Sequence, residues 1–383
     1  MAENIVRYSK EDEEKKEELD SRWSHLPTEL LCLVSSHLLL GDFTIFRAVC
    51  KSWRSSTSLI RPFPSLIDSP HLLSPCLMSI DYHKCRFFHP TYYAAFEMDI
   101  PQLLGARIRF SKYGWLLLSR DIEDDYIYSV FFFNPLTKVK VELPTHTRSG
   151  SFIAMCFSSP PTSSDCFVLG ICNSTQFGII KRGEKHWTYQ NIIHQRLEFM
   201  PSNCNPILYK GLCYCLDVEG YIGVFDPNSN NSKWIVYYVN TPFTELCLRN
   251  YLIESDGKLL AVFERYEEET PIQVFELLPK LQATKGMKPS KMVSRRLTSL
   301  GNRMLYISLG GSFLEPDVAR GTGNKIYLPM IQHNKNIFYS LKSNMYQSFI
   351  GDYDTKDEQE LRNCCWIQVM PTQTFNQDQD FEW

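Results

Sequence analysis

The sequence predicts an α+β multidomain chain of 383 residues, with a small amino-terminal helical unit followed by an all-β, propeller-like domain of about six blades. Three observations carry this. Apolar residues recur at helical steps between positions 23 and 57. After about residue 74, short runs rich in Val, Ile, Phe, Tyr and Leu are separated by Gly, Asn, Asp and Pro. Within that second part, turn signals recur at separations of 46 and 92 positions.

In the helical unit, Leu26, Leu30, Leu31, Val34 and Leu38 fall at helical spacing, and Pro27 sits where a first-turn proline loses no hydrogen bond. Gly41 stops this helix, and Asp42 is a suitable N-cap for a second segment. There Phe43, Phe46, Val49, Cys50 and Trp53 recur at three- and four-residue steps, while Arg47, Lys51 and Arg54 take other positions. A unit of about 35 residues is below the size that normally closes its own core, so part of this apolar surface must be covered from outside. Periodicity alone does not say whether the cover is the rest of the chain or a separate protein.

The ordered elements Leu26-Pro27-x-Glu29-Leu30, Asp42 and Phe46-Arg47-x-Val49-Cys50-Lys51-x-Trp53-Arg54 resemble an F-box, the helical module that docks on a Skp-type adaptor of cullin-based ubiquitin ligases. The resemblance implies that Leu26, Pro27, Leu30, Leu31, Val34 and Leu38 form the adaptor-facing surface or its support. It implies that Val49, Cys50 and Trp53 lock the module and complete its apolar contact.

Flanking segments have their own texture. The run KEDEEKKEELD reads as a solvated tail over 1–22, leading into the F-box at 23–60. Pro62, Pro64, Pro70 and Pro75 rule out a continuous helix and mark a linker over 61–73. The β domain is expected over 74–370, with a tail over 371–383.

Composition excludes several classes. A net charge of -3 gives no electrostatic footprint for nucleic acid or an anionic membrane. No run of about 18 apolar residues appears, and the amino terminus is acidic where a secretion signal would be basic and then apolar. The 13 cysteines are scattered without a C-x-x-C pair, which fits free thiols in a reducing compartment. The expected location is nucleus and/or cytoplasm, not secreted.

For the β domain, Phe133-Asn134-Pro135 and Phe225-Asp226-Pro227 both close a strand and open a turn, 92 positions apart; Gly211 and Gly257 precede comparable strands 46 positions apart. One four-stranded blade per 46 or so residues is the signature of a β-propeller, and roughly 300 residues accommodate about six. The stretch from 280 to 325 exceeds the period and hides a loop or an irregular blade. This region is similar to the kelch-like KIB-type domain of plant F-box proteins. The resemblance is carried by Gly114-Trp115-Leu116, Phe133-Asn134-Pro135-Leu136-Thr137, Tyr209-Lys210-Gly211 with Tyr214 and Leu216-Asp217, Tyr251 to Ser255, Gly323 to Tyr327 and Tyr339-Ser340-Leu341.

No G-x-S-x-G, G-x-x-x-x-G-K-[ST] or H-E-x-x-H motif is present. His83, Cys85 and His89 form the closest group of metal-type ligands but have no fourth partner at defined spacing. Cys213 and Cys215, at strand spacing, read as packed thiols, and Trp115, Trp187, Trp234 and Trp366 as packing between blades. The expectation is a non-catalytic substrate receptor with no cofactor and no metal. Its partners would be a Skp-type adaptor, through it a cullin, and a target protein, with no nucleic acid and no membrane. The rivals are a propeller scaffold acting outside a ubiquitin ligase and a ligand site in the propeller channel.

Overall fold

The computed structural model describes residues 23, 26–36, 46, 49–56, 75–81, 84–90, 94–121, 128–135, 137–145, 152–193, 199–217, 219–230, 232–239, 247–265, 271–278, 290–317, 323–332, 335–348, 358–368 and 383. The chain divides into two compact units, Met1–Leu73 with Pro371–Phe375, and Ser74–Met370 with Asn376–Trp383. In the first, α1 (Thr28–Ser36) and α2 (Lys51–Ser55) are the described helices with more than one residue.

The second unit is built almost wholly of strands. Its first strands are β1 (Cys76–Ile80), β2 (Cys85–His89) and β3 (Ala94–Met98), which pair antiparallel in that order. A second sheet follows from β4 (Arg107–Lys112), β5 (Trp115–Asp121), β6 (Tyr128–Phe133) and β7 (Lys140–Glu142), and a third from β8 (Ala154–Phe157), β9 (Phe167–Asn173), β10 (Gln176–Lys181) and β11 (Thr188–Asn191). Next come β12 (Ile207–Tyr209), β13 (Leu212–Leu216), β14 (Ile222–Phe225) and β15 (Ile235–Val239). They share an eight-stranded sheet with β16 (Cys247–Ser255), β17 (Lys258–Arg265), β18 (Ile272–Leu278) and β19 (Ser290–Leu297), joined through a parallel β15–β19 pair. The two ends of that sheet, β12 and β16, touch each other, so it is folded back on itself.

The sheet after it is irregular. It contains β20 (Arg303–Tyr306), β21 (Phe313–Pro316), β22 (Lys325–Gln332), β23 (Lys335–Ser340), β24 (Met345–Ser348) and β25 (Glu358–Glu360). Here β20 runs parallel to β22, and β25 pairs β22 off the main path. Finally β26 (Cys364–Ile367) pairs β1, so the first and last strands of the unit share one sheet. The domain is predominantly β, with several sheets in a propeller-like arrangement. Strands of successive sheets are neighbours in a cycle: β26 meets β4, β4 meets β8, β8 meets β12, β12 meets β16, β16 meets β21, and β22, which β20 separates from β21 in the same sheet, meets β26.

Local chemistry explains the hairpins. At Tyr113-Gly114, Lys210-Gly211 and Asp256-Gly257, both residues of the turn have φ between 51° and 79°. That is the type I′ geometry of a two-residue hairpin, and it requires glycine or a tolerant residue at positive φ. These turns join β4 to β5, β12 to β13 and β16 to β17, so the 46-residue glycine spacing is the spacing of equivalent inner hairpins. Asn134 and Asp226 play a matching part at the far ends of β6 and β14, where their side-chain oxygens accept from the backbone of Thr137 and Asn228.

Several strands, among them β5, β8, β14 and β26, are apolar without alternation because both of their faces are covered. Phe131, Phe132 and Phe133 are all fully buried, as are Trp115 to Leu118 on the paired strand. Trp187, Trp234 and Trp366 are buried as well. Trp366 closes the last interface. Its ring lies 4.9 Å from Tyr306 and 5.9 Å from Tyr327, and its indole N–H donates to the Ile307 carbonyl at 3.1 Å.

One polar side chain ties segments of several sheets together. A bulge in β4 leaves Arg109 out of the ladder with β5. Asn205, buried, donates to the Arg109 carbonyl at 2.8 Å and to the Leu309 carbonyl at 2.6 Å, while its side-chain oxygen accepts from Met155 N–H at 3.2 Å. Four separate chain segments meet on one amide.

Candidate functional site

The amino-terminal unit positions an apolar face by a simple division of one helix. The Leu31 N–H donates to the Pro27 carbonyl at 3.1 Å, which starts α1 directly after the proline, and Glu29 in the first turn complements the positive helix end. Successive helical residues are rotated by about 100°, so the sequence TELLCLVSS separates into sides. Leu31 is 0% exposed and Ser35 is buried; they form the inner side. Leu30 is 47% and Val34 45% exposed, one turn apart on another side.

The rest of the unit supports this division. Phe46 is buried and its ring lies 4.6 Å from that of Trp53. The Trp53 indole N–H donates to the Trp23 carbonyl at 2.9 Å, linking residues 30 positions apart. Val49, 54% exposed, adds a further apolar group to the surface.

The nine residues expected at the adaptor face thus take different places. Pro27, Leu30, Val34 and Val49 are exposed; Leu26, Cys50 and Trp53 are half-buried; Leu31 lies inside, so it supports the face and cannot be touched by a partner. Leu38, with Gly41 and Asp42, lies outside the described residues. Two exposed apolar residues, Trp23 and Leu33, were absent from the expected set. The only signal for them is their position: Leu33 sits three residues beyond Leu30 on α1.

One expectation needs correction. The helical pattern from Phe43 to Trp53 is not continuous, because Cys50 has extended backbone, with φ -158° and ψ 174°, and serves as the N-cap of α2 without a side-chain cap bond. Val49 and Trp53 therefore belong to different helical turns. Their spacing reflects tertiary packing of Trp53 on Phe46, which overrides the helical register.

In the β unit the expected metal-type residues are packed. Cys85 and His89 are buried, and burial pushes the Cys85 thiol up to about 11 and the His89 imidazole down to about 4. His83 lies outside the described residues. Cys213 and Cys215 are buried side by side on β13, and burial raises the Cys213 thiol well above its ordinary value.

Comparison with known proteins matches these two units. The F-box domain description fits residues 23–63, and the KIB1-4 beta-propeller description fits residues 87–353, more than two thirds of the chain. The chain belongs to the KIB1-4 beta-propeller family. Its relatives include the F-box/kelch-repeat protein At1g57790 of Arabidopsis thaliana, 28% identical over 90% of this chain and 94% of that protein. The F-box protein At4g00893 of the same plant is 24% identical over 94% of this chain and 87% of its own length. Another, F-box protein At3g56470, is 30% identical over 62% of this chain and 63% of its own length. An F-box followed by a β-propeller is therefore an organisation suited to a receptor or adaptor subunit.

Proposed function

We propose that this KIB1-4 family chain is the substrate-recognition subunit of an SCF-type ubiquitin ligase. The F-box would bind a Skp-type adaptor, and through it a cullin, while the propeller recruits a target protein for ubiquitination. The observation that carries the reading is the exposed apolar side of α1 at Leu30 and Val34, backed by Leu31 within the unit, with Val49 as a further exposed apolar side chain. Fully burying a Leu or Val stabilises by about 1.5–3 kcal/mol, so covering three half-exposed side chains supplies a few kcal/mol to association. Apolar anchors surrounded by less important contacts are the usual form of an interface centre.

No bond would be broken by this chain. Its action is positional: holding a target beside a ubiquitin-charged enzyme raises the effective concentration of target lysines there. The cyclic order of the sheets supports a six-bladed ring as the recruiting domain. Location in the nucleus and/or cytoplasm belongs to the same proposal, since the partners act there. Co-purification of the full chain with a Skp-type adaptor and a cullin tests it. Binding of adaptor and cullin is expected from the wild type and lost on Leu30→Glu; failure of the wild type to bind either would remove the reading.

A further inference from the structure

Inner strands from separate sheets end around one cavity of about 290 Å³ in the β unit, at the level of the Tyr113 and Asp256 hairpin turns. Its charged and amide lining comprises Lys112, Glu254, Asp256, Arg303, Glu315 and Gln368. Two ion pairs account for most of these. Lys112 Nζ stands 3.2 Å from Glu254 Oε2, and Arg303 pairs with Asp256.

Glu315 is the carboxylate left over. Its Oε1 accepts from the Gln368 side-chain amide at 2.5 Å, and among the described residues no ion pair is made to it. Burial raises its carboxyl above the usual range and the nearby Asp256 adds to the effect, while the Gln368 amide and the more distant charge of Arg303 oppose it. Three carboxylates against two cations leave the cavity with an excess negative charge. Phe110 and Phe313, both buried, supply an apolar wall beside it.

These features define what fits. A volume near 290 Å³ lies at the low end for small-molecule pockets, which suits one long side chain better than a nucleotide-sized group. Arginine and lysine carry an apolar stem and a cationic head, matching an aromatic wall beside a carboxylate that makes no direct ion pair among the described residues. Among the described residues no three His, Cys, Asp or Glu side chains are arranged to share a metal ion, so an organic cation is the better match.

We propose that this cavity takes one arginine or lysine side chain projecting from a polypeptide, with Glu315 as its anionic contact and Phe110 and Phe313 against its stem. The inference rests on the receptor reading only in calling that polypeptide the recruited target; the cavity's chemistry stands apart from the F-box.

Saturation-transfer NMR on the full chain tests it, using acetyl-Gly-Ser-X-Ser-Gly-amide peptides with X as Arg, Lys, Gln or Glu, and agmatine as a free guanidinium. The Arg and Lys peptides are expected to bind saturably and the Gln and Glu peptides not to bind. Raising salt from about 0.05 to 0.5 M should weaken the wild-type interaction, and Glu315→Gln should weaken it about tenfold. The peptide series and salt titration use wild-type protein, so the result does not depend on the variant folding. No saturable binding of either cationic peptide, equal binding of the Gln peptide, or unchanged affinity in a folded Glu315→Gln protein would overturn the proposal. Agmatine binding as tightly as the Arg peptide would overturn its polypeptide part. Adaptor binding is measured on the same samples: its retention while peptide binding fails sinks this inference alone, and its loss from the wild type sinks the receptor reading.

Discussion

Substituting Asn205 asks whether a single buried amide holds the inner strands together. Asn205→Ala removes two donated bonds, to the Arg109 and Leu309 carbonyls, and one accepted from Met155 N–H. Each such bond contributes about 0.5–1.5 kcal/mol net, so the loss should be about 3 kcal/mol. Asn205→Asp keeps the shape and the acceptor for Met155 but replaces both donated bonds with a carboxylate facing two carbonyl oxygens. It should cost more than the alanine change at neutral pH.

The sign with pH follows from linkage. A carboxyl introduced there would have a folded pKa above its unfolded value of about 3.9, because burial and the two carbonyls disfavour its charge. The Asp variant is then most stable, relative to wild type, below the unfolded pKa, where the protonated acid can donate one bond. It loses that stability as pH rises through the range up to the folded pKa. Urea unfolding of wild type and both variants at several pH values measures these differences. An alanine cost under about 0.5 kcal/mol, or an Asp variant with the pH profile of the wild type, would refute the clasp.

Further outcomes follow from other packing and burial. Trp366→Ala should destabilise the β unit by about 3–5 kcal/mol, because it empties the Tyr306–Tyr327 interface and strands the Ile307 carbonyl; a calorimetric change below about 1 kcal/mol would contradict closure through β26. His89, buried and lowered to about 4, stays neutral in the fold while the unfolded chain protonates near 6.5. Wild type should therefore lose up to about 3 kcal/mol between about pH 6.5 and 4, a component absent from His89→Gln and read by comparing their urea midpoints across that range. On α1, exposed Cys32 lies about 160° around the helix axis from Val34. In the adaptor complex Cys32 should remain open to iodoacetamide, while a cysteine placed by Val34→Cys should be protected, as mass spectrometry of the labelled chain would show.

How much of this was legible in the sequence depends on the range of the interactions. The glycines at 211 and 257 announced repeating hairpins because a type I′ turn is a local demand on φ. The all-β character was legible for the same reason, since each covered strand is a short apolar run bounded by turn residues. The clasp at Asn205 was not, as its partners lie 50 to 104 positions away and leave no periodic trace. Nor was the parallel β20–β22 pair, which breaks the four-stranded pattern inside the stretch whose length already exceeded the repeat. In α1 the sequence shows Leu30, Leu31, Leu33 and Val34 together, and four neighbouring apolar residues define no single inner side. Only tertiary packing assigns Leu31 to the interior and leaves Leu30 and Val34 outside.

That assignment is tested most directly by adaptor affinity, measured by calorimetry on the full chain with a purified Skp-type adaptor. Leu30→Glu and Val34→Glu should each weaken binding by at least about tenfold, with thermal stability close to the wild type because both side chains face solvent in the free chain. Leu31→Ala should instead destabilise the unit by about 2–5 kcal/mol, its effect on adaptor binding following from unfolding. Wild-type affinity in both glutamate variants, with the adaptor bound at full stoichiometry, would contradict the account.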